Sequence, residues 1–169
     1  MLKPELKAEL ESLHSQSLAW ALGCVGWQQE EGLEVLQSAY LKVIDGSAQF
    51  EGRSTLKTWF FSVIRLTAME RKRSSWLREN ILRKNYDSGF FDRPQTALDD
   101  STRSLRPQIA KAIKQLSEQQ QRLVELVFFH ELSLEEAAEI MKIQLGTART
   151  HYQRAKDALA KTLSREDFL

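Results

Sequence analysis

Cysteine occurs once, at Cys24, and histidine three times, at His14, His130 and His151, in a chain of 169 residues. A lone thiol excludes a disulfide framework, and histidines this scattered offer no ligand spacing for structural zinc or iron. Glycine (7) and proline (3) are scarce, and strict apolar-polar alternation is hard to find, which argues against a sheet. The longest uncharged apolar-leaning stretch, Leu13–Trp27, is interrupted by Ser, Gln, Gly and His and is too short to cross a bilayer. No basic start runs into an apolar signal core, so the expected place is the cytoplasm. No phosphate-cradling loop and no nucleophile-base pairing is legible, so no catalytic residue, cofactor or metal is expected.

Apolar residues instead recur every three or four positions, the signature of an all-α protein. Leu33, Leu36, Tyr40, Val43 and Ile44 make one stripe that ends near Gly46, and a loop follows from Asp45 to Arg53. A second helix is predicted to start at Ser54 or Thr55, both good N-caps, with Leu56, Phe60, Val63 or Ile64, Thr67 and Ala68 leading towards Trp76. Residues 85–105, with Gly89, Pro94 and four Asp, break the period and read as a flexible acidic linker. Two small helical domains are therefore expected, at 1–84 and 106–169.

In the second domain Pro107 suits the first turn of a helix carrying Ile109, Ala112, Ile113 and Leu116. Ser117 to Gln120 and Ser133 to Glu136 are capping boxes, the first opening a helix with Leu123, Leu126, Val127 and His130 in register. The short helix of Leu134, Ala137, Ala138 and Met141, a turn at 142–145, and a last helix from about Gly146 to Leu163 make a helix-turn-helix. Ala148, Tyr152, Ala155 and Leu159 face inward. Thr147, Arg149, Thr150, His151, Gln153 and Arg154 are left facing out, and these residue types suit base edges and phosphates in a major groove.

The near-neutral total of 24 basic and 23 acidic side chains conceals blocks. Residues 1–52 hold 3 basic and 8 acidic groups, 53–84 hold 9 and 2, 117–141 hold 1 and 6, and 142–165 hold 6 and 1. Two basic segments flanked by acidic ones suit a polyanion touched at two places. Within 53–78, Arg53, Lys57, Arg65, Arg71, Lys72, Arg73 and Arg78 interleave with Trp59, Phe60, Phe61 and Trp76. Charges with aromatics are what single-stranded DNA requires, since an unstacked base regains stacking on a ring. Phe60 lies on the apolar stripe and reads as core, whereas Trp59 is placed to flank a strand.

Three stretches then resemble the extracytoplasmic-function sigma factors, the two-domain class of bacterial transcription initiation factors. Leu116 through Ile143 and Gly146 to Leu159 follow that family's region-four pattern. Phe50-Glu-Gly-Arg-Ser-Thr-Leu-Lys-Thr-Trp59, running on to Arg73, is similar to its region-two stretch, and Glu31, Glu34, Gln37 and Tyr40 match its polymerase-docking helix. The resemblance implies core RNA polymerase as partner, through the beta-prime coiled coil at Glu31, Glu34, Gln37 and Tyr40 and through the beta flap. It implies that Phe50, Arg53, Ser54, Thr55, Lys57, Thr58 and Trp59 hold the opened minus-ten strand. Arg65, Arg71, Lys72 and Arg73 would clamp its phosphates, and Thr147, Arg149, Thr150, His151, Gln153 and Arg154 would read the minus-thirty-five duplex. It further implies an anti-sigma partner, and a linker from Asp87 to Asp100 running near the polymerase channel. Three features depart from the pattern: only 30 residues precede Glu31, Leu66 replaces a common Asn, and Gln144 and Leu145 replace a Ser before Gly146. A duplex-binding repressor or activator and a purely protein-binding adaptor are the other classes these residues allow.

Overall fold

The computed structural model describes residues 3–79 and 106–166. All regular structure among them is helical, in two compact units, Met1–Gly89 and Phe90–Leu169. The expected linker at 85–105 lies outside the described residues.

The first unit contains α1 (Pro4–Ser12), α2 (His14–Cys24), α3 (Gln29–Ile44) and α4 (Leu56–Glu79). Its core is Trp20 and Ala21 of α2, Val35, Leu36, Ala39 and Val43 of α3, and Leu56, Phe60, Phe61, Val63, Ile64 and Ala68 of α4. Trp20 stacks on Phe61 with centroids 5.8 Å apart, and its indole N–H donates to the Phe61 carbonyl at 3.0 Å. Phe61 therefore joins Phe60 in the core.

Two helices meet closely at Gly32, where an added Cβ would lie 2.5 Å from Leu22 Cδ2 and 3.1 Å from Leu22 Cα. That approach turns α3 so that Gly32, Val35, Leu36, Ala39 and Val43 are its buried face. The sequence stripe is corrected at its edges: Leu33 is 39% and Ile44 63% exposed, because α3 carries more apolar residues than one face can bury. Trp76 is likewise exposed rather than a continuation of the α4 core.

The second unit contains α5 (Arg106–Lys114), α6 (Glu118–Val124), α7 (Leu134–Met141) and α8 (Leu145–Glu166). Both capping boxes are formed. Ser117 and Gln120 exchange bonds of 3.3 and 3.1 Å, and Ser133 and Glu136 bonds of 3.1 and 2.9 Å. Beyond α6 the chain widens into a π-helical turn, Glu125–Phe129, closed by the His130 N–H on the Glu125 carbonyl at 3.2 Å. The extra residue in the turn leaves Phe128 and Phe129 exposed while Leu126 and His130 stay buried. α7 stops at Lys142, whose φ of +55° is left-handed, and whose successor Ile143 donates to the Ala138 carbonyl at 3.1 Å. Gln144 then supplies the carbonyl that receives the Ala148 N–H at 3.0 Å, opening α8.

Two substitutions test this packing by thermal unfolding. Gly32→Ala should cost about 1–3 kcal/mol, because the methyl group meets Leu22 backbone as well as side chain. Lys142→Gly should raise stability by about 0.5–1 kcal/mol, the relief of left-handed strain less the entropy of glycine.

Candidate nucleic-acid and polymerase interfaces

The loop before α4 is held by short-range bonds. The Asp45 carboxylate accepts the Ser47 N–H at 2.8 Å, and hydrogen bonding from Ser47 draws its pKa below the usual carboxylate value. Gly46 and Gly52, with φ of +82° and +71°, provide its turns. Thr55 caps α4, its hydroxyl oxygen accepting the Thr58 N–H at 3.2 Å. Phe50 folds back onto Trp59, with centroids 5.3 Å apart, so the loop and the first turn of α4 form one aromatic edge. Arg53 is exposed and pairs with Glu51 at 2.8 Å. Ser54 donates its hydroxyl to the Thr55 carbonyl at 3.3 Å, and the Lys57 ammonium lies 5.7 Å from the Phe61 centroid.

Thr58 is a correction. It is fully buried, and its hydroxyl accepts that of Thr55 at 2.9 Å, so it braces the cap and presents nothing to a strand.

Further along α4, Arg65 is half-buried, and Lys72 and Arg73 are exposed. Arg71 behaves differently. Its guanidinium pairs with Glu34 and stands 3.5 Å from Glu31, while Lys42 pairs with Glu70 across the same two helices. The sequence reading assigned Glu31 and Glu34 to a protein and Arg71 to phosphate; the fold ties the three together.

Tyr40, expected to dock, also has partners within the fold. Half-buried, it stacks on His14 at 6.0 Å, lies 5.0 Å from the Phe60 ring, and places its hydroxyl 3.1 Å from His14 Nδ1. Burial, and then the charge of Glu11, raise its phenol pKa. Gln37 does stand exposed, beside the Leu33, Leu41 and Ile44 that α3 fails to bury. Of these, Leu33 and Ile44 were misread as core, although the excess of apolar positions on α3 was there to be counted.

In the second unit Thr147, Arg149, Thr150, Gln153 and Arg154 are all exposed on α8. Ala148 and Ala155 are buried on its opposite side, and Tyr152 is half-buried against Phe128 at 6.1 Å. Thr147, Thr150 and Arg154 share one edge of the outer face, and Arg149 and Gln153 the other. Arg149 lies 3.7 Å from Glu135 of α7, the Thr150 hydroxyl donates to the Gly146 carbonyl at 3.0 Å, and the Gln153 amide donates to Asp157 at 3.0 Å. His151 is half-buried at the flank, with Nδ1 enclosed, rather than on the outer face. Sequence reasoning missed the buried group beneath: Glu125 accepts from Arg122 at 3.1 Å and lies 3.9 Å from His130 Nε2. The spacing of three between Arg122 and Glu125 was its only trace.

Residues 106–159 match the family described as Sigma-70, region 4. The chain is 30% identical over 150 residues to RNA polymerase sigma factor YlaC of Bacillus subtilis, a match covering 82% of each chain. It is 26% identical over 147 residues to ECF RNA polymerase sigma factor SigX of the same organism, covering 80% of this chain and 73% of SigX. The chain belongs to the ECF sigma factors. Its fold is that of the sigma factor RpoE of Bartonella quintana, solved with the anti-sigma factor NepR, at a TM-score of 0.71 and 23% identity, over 97% of this chain and 99% of that one. CnrH, solved with the cytosolic domain of CnrY, is similar at a TM-score of 0.62 and 16% identity, over 95% and 88%.

Among the described residues no helix of this sigma factor is long and apolar enough to cross a membrane, and no group of three His, Cys, Asp or Glu could hold a metal ion. Its matched region four contains the whole of the exposed α8 row.

The α3–α4 bridge of the sigma factor has a measurable strength. A double-mutant cycle of Arg71→Ala and Glu34→Gln on thermal stability should return a coupling of about 0.3–1 kcal/mol, the range of partly exposed pairs. Additive effects would mean that the bridge does not form in solution.

Proposed function

We propose that this sigma factor contacts promoter DNA through two residue sets and supplies no catalytic group itself. Phe50, Arg53, Ser54, Thr55, Lys57 and Trp59 hold the opened minus-ten strand, and Arg65, Arg71, Lys72 and Arg73 engage its phosphates. Thr147, Arg149, Thr150, Gln153 and Arg154, with His151 at the flank, read the minus-thirty-five duplex. Glu31, Glu34 and Gln37 dock on the beta-prime coiled coil of core RNA polymerase, with Tyr40 bracing their helix, and region four docks on the beta flap. The observation that carries this reading is the exposed row on α8, which lies within the region-four match.

The physics is differential binding. Trp59 and the basic groups gain base and phosphate partners only after the duplex opens, so the melted state is favoured by the affinity it alone allows. Docking through Glu31 and Glu34 makes them exchange Arg71 for a basic partner surface. One relative of this fold, RpoE, was solved with the anti-sigma factor NepR, which supports control of this chain by such a partner. The site of action is the cytoplasm, where the polymerase works, and the physiological role is control of a stress or surface-signal regulon.

Run-off transcription with sigma-free core polymerase on fragmented genomic DNA of the source is the direct test. Defined starts that depend on this protein are expected. Polymerase binding without starts would remove the promoter assignment, and absence of binding would return the chain to a repressor or adaptor role. Two variants then separate the sets. Trp59→Ala should reduce affinity for single-stranded minus-ten DNA by about 1–3 kcal/mol and impair opening, read by permanganate reactivity. Arg149→Ala should weaken duplex recognition by about 1–3 kcal/mol while leaving binding to premelted DNA unchanged.

A further inference from the structure

The outer side of α4 carries a row that neither the core nor the ion pairs explain. Trp59, Leu66, Met69, Arg73 and Trp76, at spacings of seven, three, four and three, lie along one side of the helix, a row interrupted by the buried Ser62. Ser62 is turned in, its hydroxyl on the Thr58 carbonyl at 3.0 Å. Leu66 and Met69 are turned out, 42% and 50% exposed, and they are neighbours one helical turn apart. Arg65, Lys72 and Arg73 flank them, together with Glu70, whose carboxylate is paired with Lys42, in the segment with 9 basic and 2 acidic groups.

Two aliphatic side chains hemmed by cations fall far short of a protein interface, which covers about 800 Å² on each partner. They do match a smaller object. Of the four DNA bases only thymine carries a methyl group, at C5, and apolar contact with it is a recognised means of telling thymine from the others. Phosphates on either side of such a base would meet the flanking guanidinium and ammonium groups. The Met thioether, unbranched and polarizable, adapts to a flat ring edge.

We propose that Leu66 and Met69 are specificity-determining residues that select a thymine in the opened strand by packing on its C5 methyl group. The inference rests on the reading of α4 as the strand-holding surface and adds to it a base preference. Trp59 and Arg73, above and below on the same row, set the position of that base along the helix.

The test uses the full chain bound to core RNA polymerase. Two pools of forked DNA each end in a randomised single strand of about eight nucleotides, one made with deoxythymidine and the other with deoxyuridine, and the bound fractions are sequenced. At one tail position thymine should be enriched over cytosine about fourfold more than uracil is, the worth of one methyl group removed from water. In Leu66→Asn and Met69→Gln that difference should vanish; both side chains are exposed, so the variants keep the core, which thermal melts verify. Equal enrichment of thymine and uracil by the wild type overturns the proposal, as does a methyl preference that survives in both variants. Failure of the wild-type complex to retain either pool overturns the strand-holding reading itself, and this inference with it.

Discussion

The stacking of Trp20 on Phe61, with the indole N–H bound to the Phe61 carbonyl, fixes how α4 is turned. An indole buried without a hydrogen-bond partner would be costly, so the bond and the stack act together to allow one rotation of α4 against α2. With that rotation set, Phe60, Ile64 and Thr67 face inward. Leu66, Met69 and Arg73 are left facing out, and the cap at Thr55 brings Trp59 against Phe50. The candidate strand surface is thus the remainder of a core decision.

The helix-turn-helix obeys a similar logic with polar means. Capping boxes start α6 and α7, a left-handed Lys142 ends α7, and the small side chains of Ala137, Ala138, Ala148 and Ala155 allow close helix approach. Beneath them Glu125 is buried with Arg122 and His130 as neighbours, a polar group that a core tolerates only when it is paired. The π-helical turn at the same place brings Glu125 inside and pushes Phe128 and Phe129 out. One backbone irregularity therefore sets both a buried charge group and an exposed aromatic pair, of which Phe128 lies against Tyr152 of α8.

Arg71 joins two residue sets for which different partners are proposed. It spends the free state against Glu31 and Glu34, carboxylates assigned to the polymerase, while the residues around it are assigned to DNA. Under the proposed assignments a basic partner surface would compete with Arg71 for those carboxylates, so docking and strand binding would share a charge pair and binding at one surface would favour the other. The linkage is modest because the pair is partly exposed.

Much of this protein was determined by its sequence alone. The 3.6-residue period gave helices, the two Ser-x-x-Gln/Glu boxes marked the starts of α6 and α7, and the charge blocks separated acidic from basic helices, because each of these signals is local along the chain. The family motifs around Phe50–Trp59 and Leu116–Leu159 named the function for the same reason. Tertiary structure decided which way each helix turned. Gly32 against Leu22 rotated α3 and left Leu33, Leu41 and Ile44 exposed; the Thr55 cap enclosed Thr58; the stack with His14 drew in Tyr40; and α4 and α3 together captured Arg71. Apart from the Thr55 cap, whose partner is three positions away, these outcomes depend on partners up to 37 positions away, brought near by packing that no local pattern encodes.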